Sequence, residues 1–171
     1  MVGDKDTDIN SFSNTSNSLV EMCLRKAKRL PFSTCVHEIK PKFVAGKKPL
    51  RRIRFRGVLG EVIKETYNNI ITHLKQISDK NFKEFLAGIY EADGAVTYRP
   101  SGNRKYLEVE IKFAKDEREI AKLIAERLRT FLSSVTLSFD KKTNVWRLRI
   151  CKELDVVRFF EIINPVIKNP K

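Results

Sequence analysis

Hydrophobic and polar residues alternate in two short stretches, with a period that is typical of strands with one buried face. In residues 51–56 two apolar residues alternate with arginines, and in residues 145–150 three apolar residues alternate with arginines. The positions predicted to face inward are Ile53, Phe55, Trp146, Leu148 and Ile150. The arginines expected on the opposite faces are Arg52, Arg54, Arg56, Arg147 and Arg149.

Other segments carry apolar residues at helical spacing, which predicts amphipathic helices. The predicted helices are Ser18–Leu30, Gly57 to about Gln76, Lys80 to Asp93, Asp116–Leu132 and Leu154–Ile163. Within the second of these, the stripe expected to be buried consists of Val58, Val62, Ile63, Tyr67, Ile70, Ile71 and Leu74. Further strands are predicted at Ala95–Tyr98, Tyr106–Phe113 and Val135–Phe139, with an extended segment at Thr34–Val44 and an edge strand within Asp8–Ser16.

The order of these elements repeats within the chain. Helix, strand, strand, helix occurs in Ser18–Ile71 and again in Asp116–Ile163, with an arginine-bearing strand before the last helix each time. The first copy lacks the helix and strand that Lys80–Tyr98 supplies to the second. We therefore expect an α+β fold with two regions: residues 1–79, a basic and degenerate half-repeat, and residues 80–171, a complete unit.

Composition narrows the class of protein. The 171 residues include 34 Lys or Arg and 21 Asp or Glu, a net charge of +13, with 42% hydrophobic residues, which argues against a disordered or collagen-like chain. No run approaches the roughly 18 apolar residues of a membrane span, and the polar N-terminus lacks a secretory signal. Three scattered cysteines predict a reducing, cytoplasmic location. The positive charge predicts a polyanionic partner, most simply nucleic acid.

The charge is concentrated in the first half of the chain. Val20–Gly60 holds 12 basic and 2 acidic residues, a net charge of 12 − 2 = +10. Together with the arginine-bearing strand faces, this distribution predicts a sheet that contacts a nucleic-acid duplex.

The end of the helix that begins near Lys80 has an unusual composition. Gly88 and Ala92 lie four residues apart, so small side chains share one helix face and permit the close approach of another helix. Asp93 is the last helical residue, where the helix dipole disfavours a carboxylate by roughly 0.3–1 kcal/mol. An acid at this costly position fits either a helix that simply ends in a polar turn or a functional group.

Residues 86–94, Leu-Ala-Gly-Ile-Tyr-Glu-Ala-Asp-Gly, resemble the signature nonapeptide of the LAGLIDADG homing endonucleases, with six of nine positions identical. The downstream order of strands and helices also resembles the αββαββα unit of that family. The resemblance implies an antiparallel, saddle-shaped sheet over duplex DNA. It also implies that motif helices pair, which assigns Ala87, Gly88 and Ala92 to a helix–helix interface.

The activity implied by the resemblance is metal-dependent hydrolysis of both strands of a long DNA site by an intron-encoded enzyme that leaves short 3′ overhangs. Asp93 would bind Mg²⁺ or Mn²⁺ with help from the Ala92 carbonyl, since these ions prefer oxygen ligands. A lysine would orient water or stabilise the developing anion; the candidates are Lys168, in preference to Lys171, and Lys115. The expected DNA contacts are Arg52, Arg54, Arg56, Arg99, Arg104, Lys105, Lys112, Arg147 and Arg149.

Only one acidic motif is present, whereas double-strand cleavage by this family uses two. Either a homodimer pairs two copies of residues 86–94, or a partner chain supplies the second motif. Two other functions stay open: an RNA maturase that assists intron splicing, and a DNA-binding protein that does not cleave. His37 and His73 are isolated and are expected to be ordinary surface or packing residues.

Overall fold

The computed structural model describes residues 11–14, 16–30, 36–39, 50–101 and 104–165, without the side chains of residues 100, 101 and 104. The chain divides into two compact units, Met1–Asn69 and Ile70–Lys171. The division falls between residues 69 and 70, whereas the sequence pattern placed it after residue 79. No helix among the described ranges is both long enough and apolar enough to cross a bilayer.

The first unit is a small sheet with two helices. Its elements are β1 (Ser11–Asn14), α1 (Asn17–Ala27), β2 (Val36–Ile39), β3 (Arg51–Phe55) and α2 (Gly57–Asn68). The strands are antiparallel in the order β1-β3-β2, so β1 is the predicted edge strand. As the alternation predicts, Ile53 and Phe55 are buried, and they form a core with Val20, Leu24 and Leu59.

The second unit contains the complete αββαββα order that the sequence predicted. Its elements are α3 (Ile70–Gln76), α4 (Asp79–Asp93), β4 (Gly94–Ser101), β5 (Arg104–Ala114), α5 (Arg118–Leu128), β6 (Val135–Asp140), β7 (Val145–Ile150) and α6 (Glu153–Ile163), with a 3-10 turn at Lys115–Glu117. The four strands are antiparallel in the order β4-β5-β7-β6.

One face of this sheet forms the main hydrophobic core. Val109, Ile111 and Leu148 are fully buried there, against apolar residues of α4, α5 and α6. Tyr90 of α4 makes an edge-to-face contact with Phe159 of α6, with ring centroids 5.5 Å apart. The three helices therefore cover one face of the sheet and leave the other face for polar residues.

The two sheets share a strand order that agrees with the repeat predicted from the sequence. In the first unit β3 lies between β1 and β2, and in the second unit β7 lies between β5 and β6. In both units a helix connects the first strand to the second, and another helix follows the central strand. The same strand, helix, strand, strand, helix arrangement therefore occurs twice.

The helix predicted from Gly57 to Gln76 is wrong in two respects. It is two helices, because Asn69 leaves helical geometry (φ −106°, ψ 19°) while its side-chain Nδ2 donates to the Glu65 carbonyl at 3.0 Å. The predicted buried stripe is also buried only in part: Leu74 is buried and Ile63 packs against the core of the first unit, but four of its seven residues are exposed. Leu59 and Gly60 are the buried residues of α2, whereas Val58 and Val62 are 55% and 47% exposed.

Candidate active site and nucleic-acid interface

Asp93 occupies the carboxyl end of α4, where the chain turns directly into β4. The helix begins at Ser78, whose hydroxyl accepts from the backbone N–H of Asn81, and ends at Gly94 in an extended conformation. A Cβ on Gly94 would lie 2.6 Å from the Tyr90 carbonyl oxygen and 2.8 Å from Tyr90 Cε2. Only glycine permits this turn, which leaves the side chain of Asp93 exposed.

A second carboxylate lies near Asp93. Burial raises the pKa of Glu117, and the charges of Asp116 and Asp93 raise it further, although a hydrogen bond from the Ala114 backbone acts against them. Glu117 is 8% exposed, and its Oε2 accepts from the Ala114 N–H at 2.8 Å. The turn after β5 is therefore brought beside the end of α4.

That turn holds Lys115 in place. Trp146 Nε1 donates to the Lys115 carbonyl at 3.2 Å, and the Arg118 guanidinium lies over the Trp146 ring, 5.5 Å from its centroid. The side chain of Lys115 is exposed. Sequence reasoning placed Trp146 only in the core. It placed Glu117 at the start of a helix and did not assign it to the site, although a Glu three residues after Ala114 has the spacing of a helix cap.

The donors at the end of α4 fit part of a divalent-cation site. A carboxylate and a main-chain carbonyl at a helix carboxyl end are hard oxygen ligands on the negative side of the dipole. Across the described residues, no three His, Cys, Asp or Glu side chains converge as a metal cage would require. Mg²⁺ is often held by one or two carboxylates, with waters and substrate phosphates completing its shell, so Asp93 and Ala92 suit such a site. Lys168 and Lys171 lie outside the described residues.

The sheet face opposite the core carries the residues predicted to contact DNA. Register places Arg99 opposite Tyr106, Lys112 opposite Arg147, and Arg149 opposite both Glu110 and Thr136. Arg99 and Lys112 have side chains 63% and 53% exposed. Arg104 is the first residue of β5. Lys105 is exposed near the start of the strand, but it alternates with these residues and falls on the side of β5 that Val109 and Ile111 share, so this prediction does not belong to the face opposite the core.

This face also carries carboxylates whose pairing the sequence did not reveal. Glu110 Oε2 accepts from Arg149 Nε at 2.9 Å and from Arg147 Nη1 at 3.3 Å. Glu108 lies 3.4 Å from Arg149 and 3.7 Å from Arg99. Burial alone would raise the pKa of Glu110, but the hydrogen bond from Arg149 and the neighbouring positive charges hold it below its ordinary value. The face is a network of ion pairs rather than an uncompensated positive surface.

In the first unit the arginines divide between the two faces of the sheet. Arg52 Nε donates to Ser13 Oγ at 3.0 Å on the face opposite the core, which Arg54 shares. Arg56 is exposed as the residue before α2 and follows the strand. Arg51, on the core side, bonds Glu38 at 2.7 Å and lies 2.8 Å from Glu21.

The small residues assigned to a helix–helix interface differ in exposure. Gly88 and Ala92 are exposed, and a Cβ on Gly88 would meet no atom within 4 Å among the described residues. Ala87 is partly buried and packs against the core. The folding of the second unit therefore does not require glycine at position 88.

Comparison with known proteins links this geometry to a family. Residues 80–164 match the family model of the LAGLIDADG-like domain, which confirms the resemblance seen in the motif. No curated protein sequence matches the chain.

Similar solved structures include the N-terminal LAGLIDADG domain of DUF199/WhiA, at 21% identity over 97% of this chain and 76% of that one, with a TM-score of 0.62. Another is I-DmoI in complex with DNA and Mn, at 16% identity over 92% of this chain and 81% of that one, with a TM-score of 0.61. A third is the meganuclease I-SmaMI bound to uncleaveable DNA, at 12% identity over 91% of this chain and 73% of that one, with a TM-score of 0.57. At these identities the similarity shows a shared fold.

Proposed function

Residues 80–164 match the LAGLIDADG-like domain, and from this premise we propose that the chain is a site-specific DNA endonuclease that hydrolyses both strands of a duplex using Mg²⁺ or Mn²⁺. The observation that carries the proposal is the exposed carboxylate of Asp93 at the end of the motif helix, beside the turn that holds Lys115. We further propose that the gene lies within an intron.

The mechanism assigns separate tasks to the residues of the site. Asp93 and the Ala92 carbonyl would hold the cation, which when bound neutralises charge on the scissile phosphate and activates water. Lys115 presents an exposed ammonium group that stabilises the anion developing on the phosphate, and Lys168 is proposed for the same role or for orienting the attacking water. Glu117 and Trp146 act as positioning residues, because they fix the backbone on either side of Lys115.

Cutting both strands needs two acidic helix ends, and this chain has one motif. We propose that two chains pair through α4, where Gly88 and Ala92 are exposed and small enough for backbones to approach closely. A partner chain that supplies the second motif is the alternative.

A DNA-binding protein that does not cleave is the second candidate. It is favoured by the occurrence of this fold in DUF199/WhiA as well as in homing endonucleases.

Cleavage of the duplex formed by joining the sequences that flank the reading frame tests the proposal, since a homing enzyme cuts at its own insertion point. Wild-type protein should cut this duplex with Mg²⁺ and not with EDTA, and Asp93→Asn should abolish cutting. Glu84→Gln, an exposed acid on the same helix, is the matched control and should cut normally. Equal cutting by Asp93→Asn would overturn the metal site, whereas tight binding without cleavage by any variant would favour the second candidate.

A further inference from the structure

Arg147 and Arg149 lie two residues apart on the same face of β7, yet the structure holds them differently. Arg147 is bonded through both Nη atoms: Nη1 to Glu110 at 3.3 Å, and Nη2 to Thr143 at 3.2 Å and to Asp140. Its Nε is buried. Both Nη groups of Arg147, which a ligand would need, are therefore occupied by the protein itself.

Arg149 is held by one edge only. Its Nε donates to Glu110 Oε2 at 2.9 Å and lies 3.4 Å from Glu108 Oε1. Both carboxylate contacts that the described residues make with this guanidinium use Nε, and the two Nη atoms lie at its opposite end. The Nε side of the Arg149 guanidinium is therefore fixed, and its two Nη groups, called the fork below, are available to a ligand.

The two carboxylates beneath Arg149 are buried, with Glu108 and Glu110 6% and 9% exposed. Buried carboxylates are costly unless they are paired, so they retain the guanidinium in one orientation before any ligand arrives. A side chain that is already ordered loses less conformational entropy on binding.

The charges around the Nη groups of Arg149 favour one of two possible ligands, a DNA phosphate or the edge of a base. A DNA phosphate would approach Arg149 above two carboxylates, which repel an anion and offset the attraction of the guanidinium. The major-groove edge of guanine is neutral and presents the O6 and N7 acceptors that match an arginine fork. Arg99 and Lys112 each lie near one of the same carboxylates, at 3.7 Å from Glu108 and 3.5 Å from Glu110. Their side chains are more than half exposed, so they can turn towards solvent and suit phosphate contacts better than Arg149.

We propose that Arg149 is a specificity-determining residue that recognises a guanine in the major groove, that Glu110 is its positioning residue, and that Arg147 supports the sheet without contacting a base. This assignment rests on the proposed DNA-binding function of the same sheet face. It gives different roles to Arg147 and Arg149, which the sequence pattern treated as equivalent.

The test is selection of duplexes from a random-sequence pool in EDTA, which separates binding from cleavage. Wild-type protein should enrich a motif that contains a guanine, and Arg149→Lys should reduce the preference for that base by about 10- to 100-fold while keeping the rest of the motif. Glu110→Gln should weaken the same preference, and Glu110→Asp should restore part of it. Arg147→Lys should keep the motif and unfold at lower temperature, since the proposal assigns Arg147 to support of the sheet. Arg127→Lys, at an arginine of α5 that pairs with Asp79 in the helix layer, is the matched control and should keep the motif.

The outcomes distinguish this assignment from the function on which it rests. Arg149→Lys that keeps the full motif, or that loses affinity equally for all sequences with a shallower salt dependence, overturns the assignment and leaves DNA binding intact. Wild-type protein that enriches no sequence overturns specific DNA binding and the assignment together. Enrichment without metal-dependent cleavage supports the assignment and removes only the nuclease step.

Discussion

Tyr90 lies against Gly94 so closely that a methyl group on Gly94 would stand 2.6 Å from the Tyr90 carbonyl oxygen. Tyr90 is 1% exposed and packs between Phe159 and Phe160, so it has little room to move. The position of Asp93 therefore depends on a glycine whose role is steric, because its φ of −83° is open to any residue.

Replacing Gly94 by Ala should lower the free energy of unfolding by roughly 1–3 kcal/mol, the usual cost of overpacking. Gly88→Ala is the matched control, since its Cβ meets open space among the described residues and alanine stabilises an exposed helix by about 0.5–1 kcal/mol over glycine. Urea unfolding followed by circular dichroism measures both changes. A Gly94→Ala midpoint equal to wild type would contradict the close packing.

Gly88→Leu separates folding from assembly. Since the position is exposed, we expect an unfolding midpoint within about 0.5 kcal/mol of wild type. If two α4 helices pair, however, the bulky side chain keeps their backbones apart and should convert dimers to monomers in sedimentation velocity. A wild-type protein that stays monomeric on DNA and cuts both strands would disprove the paired-helix arrangement.

Asp155 joins α6 to the start of β6. Its Oδ2 accepts from the backbone N–H groups of Ser133 and Ser134 at 2.9 and 2.7 Å and from the Ser133 hydroxyl at 3.0 Å. Asp155→Ala should cost roughly 2–3 kcal/mol, because hydrogen bonds to a charged acceptor are lost and their donors remain. Thermal unfolding at neutral pH measures the loss, with the exposed Glu161→Ala on the same helix as control.

The pH dependence of that loss has a defined sign. Burial alone would raise the pKa of Asp155, but the hydrogen bonds from Ser134 and Ser133 hold it below its ordinary value of 3.8. A carboxyl with a lowered folded-state pKa stabilises the protein above its unfolded pKa and loses that contribution as the pH falls. The stability difference between wild type and Asp155→Ala should therefore shrink below about pH 4.

The proximity of Asp93 to Glu117 can be measured by titration. Because the charge of Asp93 helps to raise the pKa of Glu117, Asp93→Asn should lower that pKa, and Glu84→Gln should leave it unchanged. Carbon-13 NMR of the Glu117 carboxyl follows the change. If the titration curve of Glu117 is the same in Asp93→Asn as in wild type, the two carboxylates do not interact and the proposed site is weakened.

DNA affinity should fall steeply with salt if Arg99 and Lys112 contact phosphates. Each neutralised phosphate contributes about 0.9 to the slope of log affinity against log salt, so Arg99→Gln and Lys112→Gln should each reduce the slope by about 1. Arg51→Gln, on the core side of the first sheet, is a charge-matched control that should not change the slope. A flat salt dependence in wild-type protein would contradict phosphate binding by this face.

Local patterns were sufficient for much of the fold. Alternation at Ile53, Phe55, Leu148 and Ile150 predicted buried strand faces, and the motif at residues 86–94 predicted the family, because both signals depend on neighbours in sequence.

The ion-pair network could not be predicted in the same way. Glu110 and Arg149 are far apart in sequence and meet only through the register of β5 with β7. The prediction of the buried face of α2 failed in part for a related reason. Leu59 and Ile63 pack with residues of the strand before the helix, and Val58 and Val62 therefore face outward. Helical spacing gives the width of an apolar face, while contacts with other elements decide which part of it is covered.

The pairing of β5 with β7 is what joins the two hairpins of the larger sheet, β4–β5 and β6–β7. Each hairpin can form from contacts close in sequence, whereas their junction requires the intervening helix α5 to have folded back. Glu110 and Arg149 meet across that junction. A chain emerging from the ribosome therefore completes this ion-paired face only after β7 has left the exit tunnel, so Glu108 and Glu110 are in place on the first hairpin before the β7 arginines that pair with them arrive.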